Sequence, residues 1–360
     1  MSSISVNTIT DASGGATTSI NGFTPSVSNM GGKNRIINGD MRIDQRNAGA
    51  AVTGVGQAYG TDRWRAQIDV ARITMQQSTD APAGFTNSLS ITCTTASTSG
   101  QAFIVQVIEG YNFADFQWGT SNAKPVTISF WVKCSLAGQH TCAFEDSDGT
   151  RCYSAIYYIN TSDTWEYKTI TIPGVTSGSL WNKTNGNGTQ VIFDLGSAST
   201  QTGNVWGTAD AKRATGSVQV CSTVGAVFKV TGVQVEAGSV ATPFEHRQYG
   251  QELALCQRYA LKLNNPTETY GIFCNGAAIS TTDFYSGITG FNLRATPTVT
   301  FSFITLNSGG PKTVSNVTAF GSGYGTFGIY SLSSGLSPGY SGILQQNGNT
   351  AGYILLSSEL

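Results

Sequence analysis

Charge is scarce in this chain. Lys, Arg, Asp and Glu make up 11% of its 360 residues, and 20 basic against 21 acidic residues leave a formal net charge of -1. The cations are scattered rather than blocked, so no footprint for nucleic acid or an anionic membrane is present. Long apolar runs are also missing, and none approaches the roughly 18 residues that span a bilayer. The opening "MSSISVNTITDASGG" lacks the basic and apolar regions of a secretory leader, so neither a leader nor membrane insertion is expected. No G-x-S-x-G nucleophile motif, H-E-x-x-H or phosphate-binding loop is expected. The seven cysteines (Cys93, Cys134, Cys142, Cys152, Cys221, Cys256, Cys274) are odd in number and widely spaced, without C-x-x-C. That pattern fits buried reduced thiols from cytoplasmic synthesis better than a disulfide framework or a zinc site. Without a secretory route, the N-x-S/T triplets at Asn160, Asn182, Asn187 and Asn316 are read as chance.

Glycine and aromatics are plentiful instead, with 43 Gly and 10% Phe, Trp and Tyr. Many aromatics with little charge argue against disorder. Short apolar runs separated by Gly, Ser, Thr, Asn and Asp suit an all-β protein with many turns. Residues 1–33 have few apolar positions and no long period; they read as an extended arm that orders only against a partner. From "NRIINGDMRIDQRNAG" a folded region begins. In "KPVTISFWVK", Val126, Ile128, Phe130 and Val132 point one way while Thr127, Ser129, Trp131 and Lys133 point the other. "CYSAIYYI", "TWEYKTITIPG", "QVIFDLG" and "AVFKVTGVQVE" follow, which predicts a two-sheet sandwich of jelly-roll type over 34–247.

Residues 248–262 change character. Leu253, Cys256 and Tyr249 share a helical face extended by Ala260, with Pro243 before it and Asn264-Asn265-Pro266 after. A connector helix is predicted there. Residues 263–360 return to strands in "ETYGIFCNGAA", "ATPTVTFSFITL", "GTFGIYSLS" and "AGYILLSSEL", enough for a second small sandwich. A unit of that size is marginal alone, so an assembly is expected.

Taken together, "SVNTITDASGGATTSINGFTP", "KNRIINGDMRIDQRNAGA" with "TDRWRA", "ISFWVKCSLAG", "TWEYKTITIPG" and "VQVEAGSVATPFEHRQYGQELALCQRY" resemble, in the same order, a tail-fibre or host-recognition virion protein of tailed bacteriophages with a carbohydrate-binding-module-like sandwich. The likeness covers about residues 34–259 well and the last hundred, through "LRATPTVT" and "SSEL", more loosely. It implies a non-enzymatic homotrimer made in the host cytoplasm and carried in the virion. Its arm would dock on another tail or baseplate protein, with Val6, Ile9, Phe23 and Pro25 as attachment residues. Its β domains would face host-surface polysaccharide. An architectural virion protein without receptor contact is the alternative, and a polysaccharide depolymerase is a third reading.

Candidate residues follow from chemistry. Sugar rings stack on aromatics, which makes Trp118, Trp131, Trp165, Trp181 and Trp206 platform candidates. Trp181, in the turn-rich "SLWNKTNGNGT", is expected to be the exposed one; Trp118 and Trp206 join it as predicted glycan contacts. "FEDSDGT" sets Glu145, Asp146 and Asp148 beside Gly149, a set that could ligate Ca2+, although it lacks the EF-hand continuation and reads first as a solvated hairpin turn. Carbohydrate-binding sandwiches often carry a structural Ca2+, and the resemblance keeps that cofactor open. Glu109, Asp115, Glu166 and Asp194 are the acids a glycosidase would need to pair. The neighbours Glu245 and His246 point to opposite sides of an extended segment, which suits a closing segment and not a proton relay. Leu253, Cys256 and Tyr259 are expected at a connector or subunit contact.

Overall fold

The computed structural model describes residues 32–178, 181–208, 211–323 and 326–360. The predicted arm therefore lies outside the described residues except for Gly32 and Lys33, and so do Val6, Ile9, Phe23 and Pro25. The described chain is all-β, two sandwich units meeting at one short helix.

The first unit is a 12-stranded antiparallel sheet that folds over on itself into a jelly-roll-like sandwich. The fold-over is made by Trp64–Ser78, a strand of 15 residues. Its first part pairs with Ala102–Glu109, through Arg65 to Ile68. Its second part pairs with Ser88–Cys93, through Ile73 to Ser78. One strand therefore serves both layers. On one side of it lie Asn187–Asp194, Gly138–Glu145, Arg151–Ile159 and Trp206–Thr208; on the other, Val227–Ala237, Val126–Cys134 and Glu166–Ile172. The inward half of the alternation in Val126–Cys134 is realised, with Val126, Ile128, Phe130 and Val132 fully buried; of the outward half Thr127 and Ser129 are covered too, and Trp131 and Lys133 are partly open. Phe130 meets Tyr157 and Phe193 of the opposite layer, edge to face at centroid separations of 5.2 and 4.9 Å. This contact between layers is the centre of the main core.

The second unit packs a small sheet of Ala260–Asn264, Tyr353–Ser357 and Thr298–Ser302 on a seven-stranded sheet. Leu261, Ile354 and Leu356 face Phe284, Leu306, Ile329 and Leu344 in its core. The chain changes sheet at Phe303, whose φ of 47° turns the corner between Thr298–Ser302 and Ile304–Asn307.

The helix differs from the expected span 248–262. It runs Tyr249–Gln257, and Ala260–Asn264 is a strand paired with Tyr353–Ser357. Tertiary pairing overrides the helical period there. Tyr249 is exposed, whereas Cys256 and Tyr259 are fully buried against Ile37 and Ile43, with Leu253, Leu255 and Leu360 packed beside them. Cys256 and Tyr259 thus contact this chain itself and have no surface left for another subunit.

The units are joined by buried charge. Glu109 accepts from Arg258 Nε at 3.0 Å and Nη2 at 2.6 Å, and from the Tyr259 hydroxyl at 2.6 Å. Burial raises the Glu109 carboxyl, but these donors together outweigh it and hold it below the usual value. Near the other end of the chain, Glu359 takes Arg46 Nη2 at 3.0 Å and also Arg63. The Arg63 guanidinium lies 3.6 Å from the Tyr259 ring centroid.

Candidate functional site

The outer face of the layer containing Val126–Cys134 presents the polar half of that strand's alternation. Across it, register sets Thr231 opposite Trp131 and Trp131 opposite Tyr167. The Trp131 and Tyr167 rings sit 5.4 Å apart, tilted by 48°. Tyr167 is exposed and Trp131 half-buried. Beside them the strand Val227–Ala237 is irregular between Thr231 and Gln234, and Gly232 stands there at φ 62°. A Cβ on Gly232 would lie 2.7 Å from Phe85 Cζ and 3.2 Å from Trp131 Cδ1, so only glycine lets the two rings close on the floor.

A wall rises over this floor. Residues 239–246 leave the strand and fold back along it, fixed where Thr242 N and Oγ1 donate to the Glu236 carboxylate at 2.8 and 2.7 Å. Glu245 N donates to Gln234 Oε1 at 2.8 Å. Phe244 and His246, two residues apart and so on one side, pack edge to face at 4.9 Å, and Phe85 touches both. The groove enclosed between Phe85, Trp131, Tyr167, Phe244 and His246 has a volume of about 740 Å3. Along the same face, Asp80 accepts from Lys229 at 2.6 Å, Lys133 at 3.0 Å and Trp165 Nε1 at 3.1 Å. Hydrogen bonding from Lys229, aided by Trp165 and Lys133 against a smaller effect of burial, keeps its carboxyl far below the usual range.

Other expected residues fall elsewhere. Trp118, Trp181 and Trp206 are indeed brought together, with ring separations of 4.8, 5.3 and 5.9 Å, but as a packing cluster with Phe113. Trp181, expected in an exposed turn, is buried, and so is Trp118, whose Nε1 donates to Lys124 O. Trp206 is partly open at the margin of the same core. The short turns at Gly110–Asn112 and Ala114–Phe116 carry Phe113 and Phe116 over the end of the sandwich and seal this cluster.

Glu145, Asp146 and Asp148 do not gather. Glu145 is paired with Lys212, Asp146 accepts from Thr150 N and Oγ1 at 2.7 and 2.6 Å, and Asp148 is exposed. Among the described residues no group of three or more His, Cys, Asp or Glu side chains is placed to hold a metal ion. The four acids considered for glycosidic chemistry are each engaged separately: Glu109 as above, Asp115 by Arg35, Glu166 by Lys168, and Asp194 by the Gly196 and Ser197 amides. All seven cysteines are buried and unpaired. Glu245 and His246 do point apart. Glu245 accepts from Gly32 N and Asn34 N at 2.7 and 2.8 Å, while His246 faces the groove.

Sequence reasoning missed Tyr167, Phe85, Phe244 and His246 as groove residues. It also passed over Gly335-Leu336-Ser337-Pro338-Gly339, which has G-x-S-x-G spacing. That segment is a turn between strands, closed by Tyr340 N on Ser337 O, and not the strand-to-helix elbow of a nucleophile.

No protein-family model matches the chain, and no curated protein matches it. Its structural neighbours are carbohydrate-binding modules and a phage tailspike domain. The enzymatically active domain of bacteriophage CBA120 tailspike protein 4 aligns with 57% of this chain at 13% identity and a TM-score of 0.32. This chain spans about a fifth of that one, 21%. The CBM22-1 xylan-binding domain from Paenibacillus barcinonensis is covered to 99% by 54% of this chain, at 12% identity and a TM-score of 0.25. A carbohydrate-binding module of family CBM4 is covered to 97% by 56% of this chain, at 16% identity and a TM-score of 0.28. Each is a partial likeness.

Proposed function

We propose that the chain is a non-catalytic, glycan-binding structural component of a bacteriophage tail, and that the first sandwich holds glycan in the groove over Trp131 and Tyr167. One observation carries the binding reading: two aromatic rings, Tyr167 exposed and Trp131 half-buried, stand side by side on neighbouring strands on the floor of a walled groove. Sugar C–H faces stack on such rings, and the neighbouring Thr169, Ser239 and His246 offer polar groups to the hydroxyls. The volume is in the range of small-molecule sites and suits a short stretch of polysaccharide. The phage assignment is supported by the ordered resemblance of the segments from the arm to the helix. Attachment through residues 1–33, a homotrimer and a place in the virion belong to the same proposal. Several weak sites around one axis would then bind a cell surface by avidity.

The test is binding of the full-length protein to host cells and to polysaccharide extracted from them, compared with a Trp131→Ala, Tyr167→Ala double variant of unchanged thermal midpoint. The proposal expects clearly weaker binding by the variant than by the parent and no release of reducing sugar ends by the parent. Equal binding by both proteins would sink the groove, and release of reducing ends would sink the non-catalytic reading.

A further inference from the structure

We propose a second sugar platform, on the outer face of the seven-stranded sheet, built from Tyr285, Phe320 and Tyr330 with Asp283 as its hydrogen-bond acceptor, and taking a neutral, hydroxyl-rich saccharide. The alternation in Asp283–Thr289 turns Phe284, Ser286 and Ile288 inward and leaves Asp283, Tyr285 and Gly287 outside. The neighbouring strands continue that face. Tyr285 pairs with Tyr330, Tyr330 with Thr318, Gly287 with Gly328, and Gly328 with Phe320. Tyr285 lies 5.2 Å from both Phe320 and Tyr330, centroid to centroid.

Three features point to a sugar. First, the Phe320 ring lies over Gly328, where a Cβ would come within 2.2 Å of its Cζ. The ring is therefore laid along the sheet with its other face outward, and it is 43% exposed. Second, a Cβ on Gly287 would meet nothing within 4 Å, so the sheet face beside Tyr285 is unobstructed. Third, Asp283 is held at the margin, Oδ1 accepting from the Tyr330 hydroxyl at 2.6 Å and Oδ2 from Ser280 Oγ at 2.7 Å. The Thr282 side chain bonds the carboxylate as well, which leaves about one of its four lone-pair positions free. An outward ring face takes sugar C–H groups, and a fixed acceptor beside it takes hydroxyl donors. The carboxylate also disfavours an anionic sugar.

Scale separates a sugar from a second protein chain. Partly exposed rings of this size offer on the order of 250 Å2 together. A stable protein interface needs about 800 Å2 per partner. Around the rings stand Thr318, Asn316, Asn275 and Thr289, all exposed and neutral. One or two sugar rings fit such a patch.

This site does not rest on the groove of the first sandwich, and the test separates them. Full-length protein would be examined by saturation-transfer NMR with neutral hexasaccharides of glucose, mannose, galactose and xylose. The set comprises the parent, the groove variant (Trp131→Ala, Tyr167→Ala), the platform variant (Tyr285→Ala, Phe320→Ala), both combined, and Asp283→Ala. The groove variant is expected to keep transfer from at least one hexasaccharide, and adding the platform substitutions should weaken that binding by roughly tenfold or more. Asp283→Ala, which leaves the rings in place, should weaken it as well. No transfer to the groove variant, or transfer that the platform substitutions leave unchanged, would overturn the second platform and leave the first untouched. A lower oligomer mass for the platform variant would overturn it in favour of a contact between copies.

Discussion

Replacing Glu359 by Gln tests whether the two sandwiches behave as one body. Arg63 is almost wholly buried, donates through Nη2 to Val107 O at 2.5 Å, and has Glu359 as its carboxylate partner. Arg46 shares Glu359 but also has Asp62, its Nη1 lying 3.6 Å from Asp62 Oδ1. The substitution thus strands mainly Arg63. Removing one partner of a buried ion pair costs about 3–5 kcal/mol, and an amide that still accepts one bond puts the loss near the lower end, about 3 kcal/mol. Unfolding entropy is roughly 2.1 cal/mol/K per residue, so a whole-chain transition should fall by about 4 °C. If the C-terminal unit of roughly 100 residues melted by itself, the same loss would shift its own transition by about 15 °C. Calorimetry with circular dichroism reads the difference. One transition about 4 °C lower is expected. An unchanged midpoint, or a separate early transition, would refute the coupling. Asp115→Ala is the control: its pair with Arg35 is half open to solvent, so its loss should cost under about 1 kcal/mol.

Three further outcomes follow from local geometry. Asp194 is fully buried and its carboxyl is pushed by burial to about 6, despite hydrogen bonds from Ser197 and Gly196. Its folded value lies above the unfolded one, so its contribution to stability is greatest at low pH and is lost as pH rises from about 4 through about 6. In urea unfolding, Asp194→Asn should lose less stability, or gain more, than the parent as pH rises from about 4 to about 6, and an identical slope would disprove the assignment. Gly232→Ala should displace Phe85, cost roughly 1–3 kcal/mol from overpacking and positive φ, and abolish glycan binding in the groove. Glu245→Ala should free Gly32 and Asn34 and speed trypsin cleavage after Lys33, read by mass spectrometry; an unchanged rate would show that Lys33, through Thr242 and Pro243, suffices.

The all-β class and the inward faces were legible because they are local. "KPVTISFWVK" declares its buried side by alternation, and it also places Trp131 opposite that side. What alternation cannot give is the partner. Tyr167 lies 36 residues away, and only antiparallel register brings it beside Trp131. The exposure of Trp181 was misread for the same reason: a turn-rich segment looks solvated until Phe113 and Trp118 are folded over it. The end of the helix was hidden too, because the strand that claims Ala260–Asn264 is Tyr353–Ser357, some ninety residues later.

The segment around Glu245 and His246 matters for a reason that pairwise chemistry does not suggest. Its Thr242, Phe244 and His246 form the groove wall, while Glu245 clips Gly32 and Asn34 to that same wall. One residue on, Arg247 donates to Ile36 O at 2.9 Å and reaches Glu252 of the helix, whose carboxylate accepts from Asn38 N. The stretch that begins at Gly32 is thus tied to the wall of the groove, to the helix that joins the units and, through Asn34 and Arg35, to the strand Val227–Ala237. Backbone at these positions cannot shift by a large amount without moving Phe244 and His246 relative to Trp131, since packed contacts are bistable rather than freely deformable. Under the proposed function, an attachment through the preceding residues would enter the fold at the groove wall itself. A multivalent reading then needs the groove to stay where its site can engage, because effective concentration collapses when sites cannot reach their ligands together.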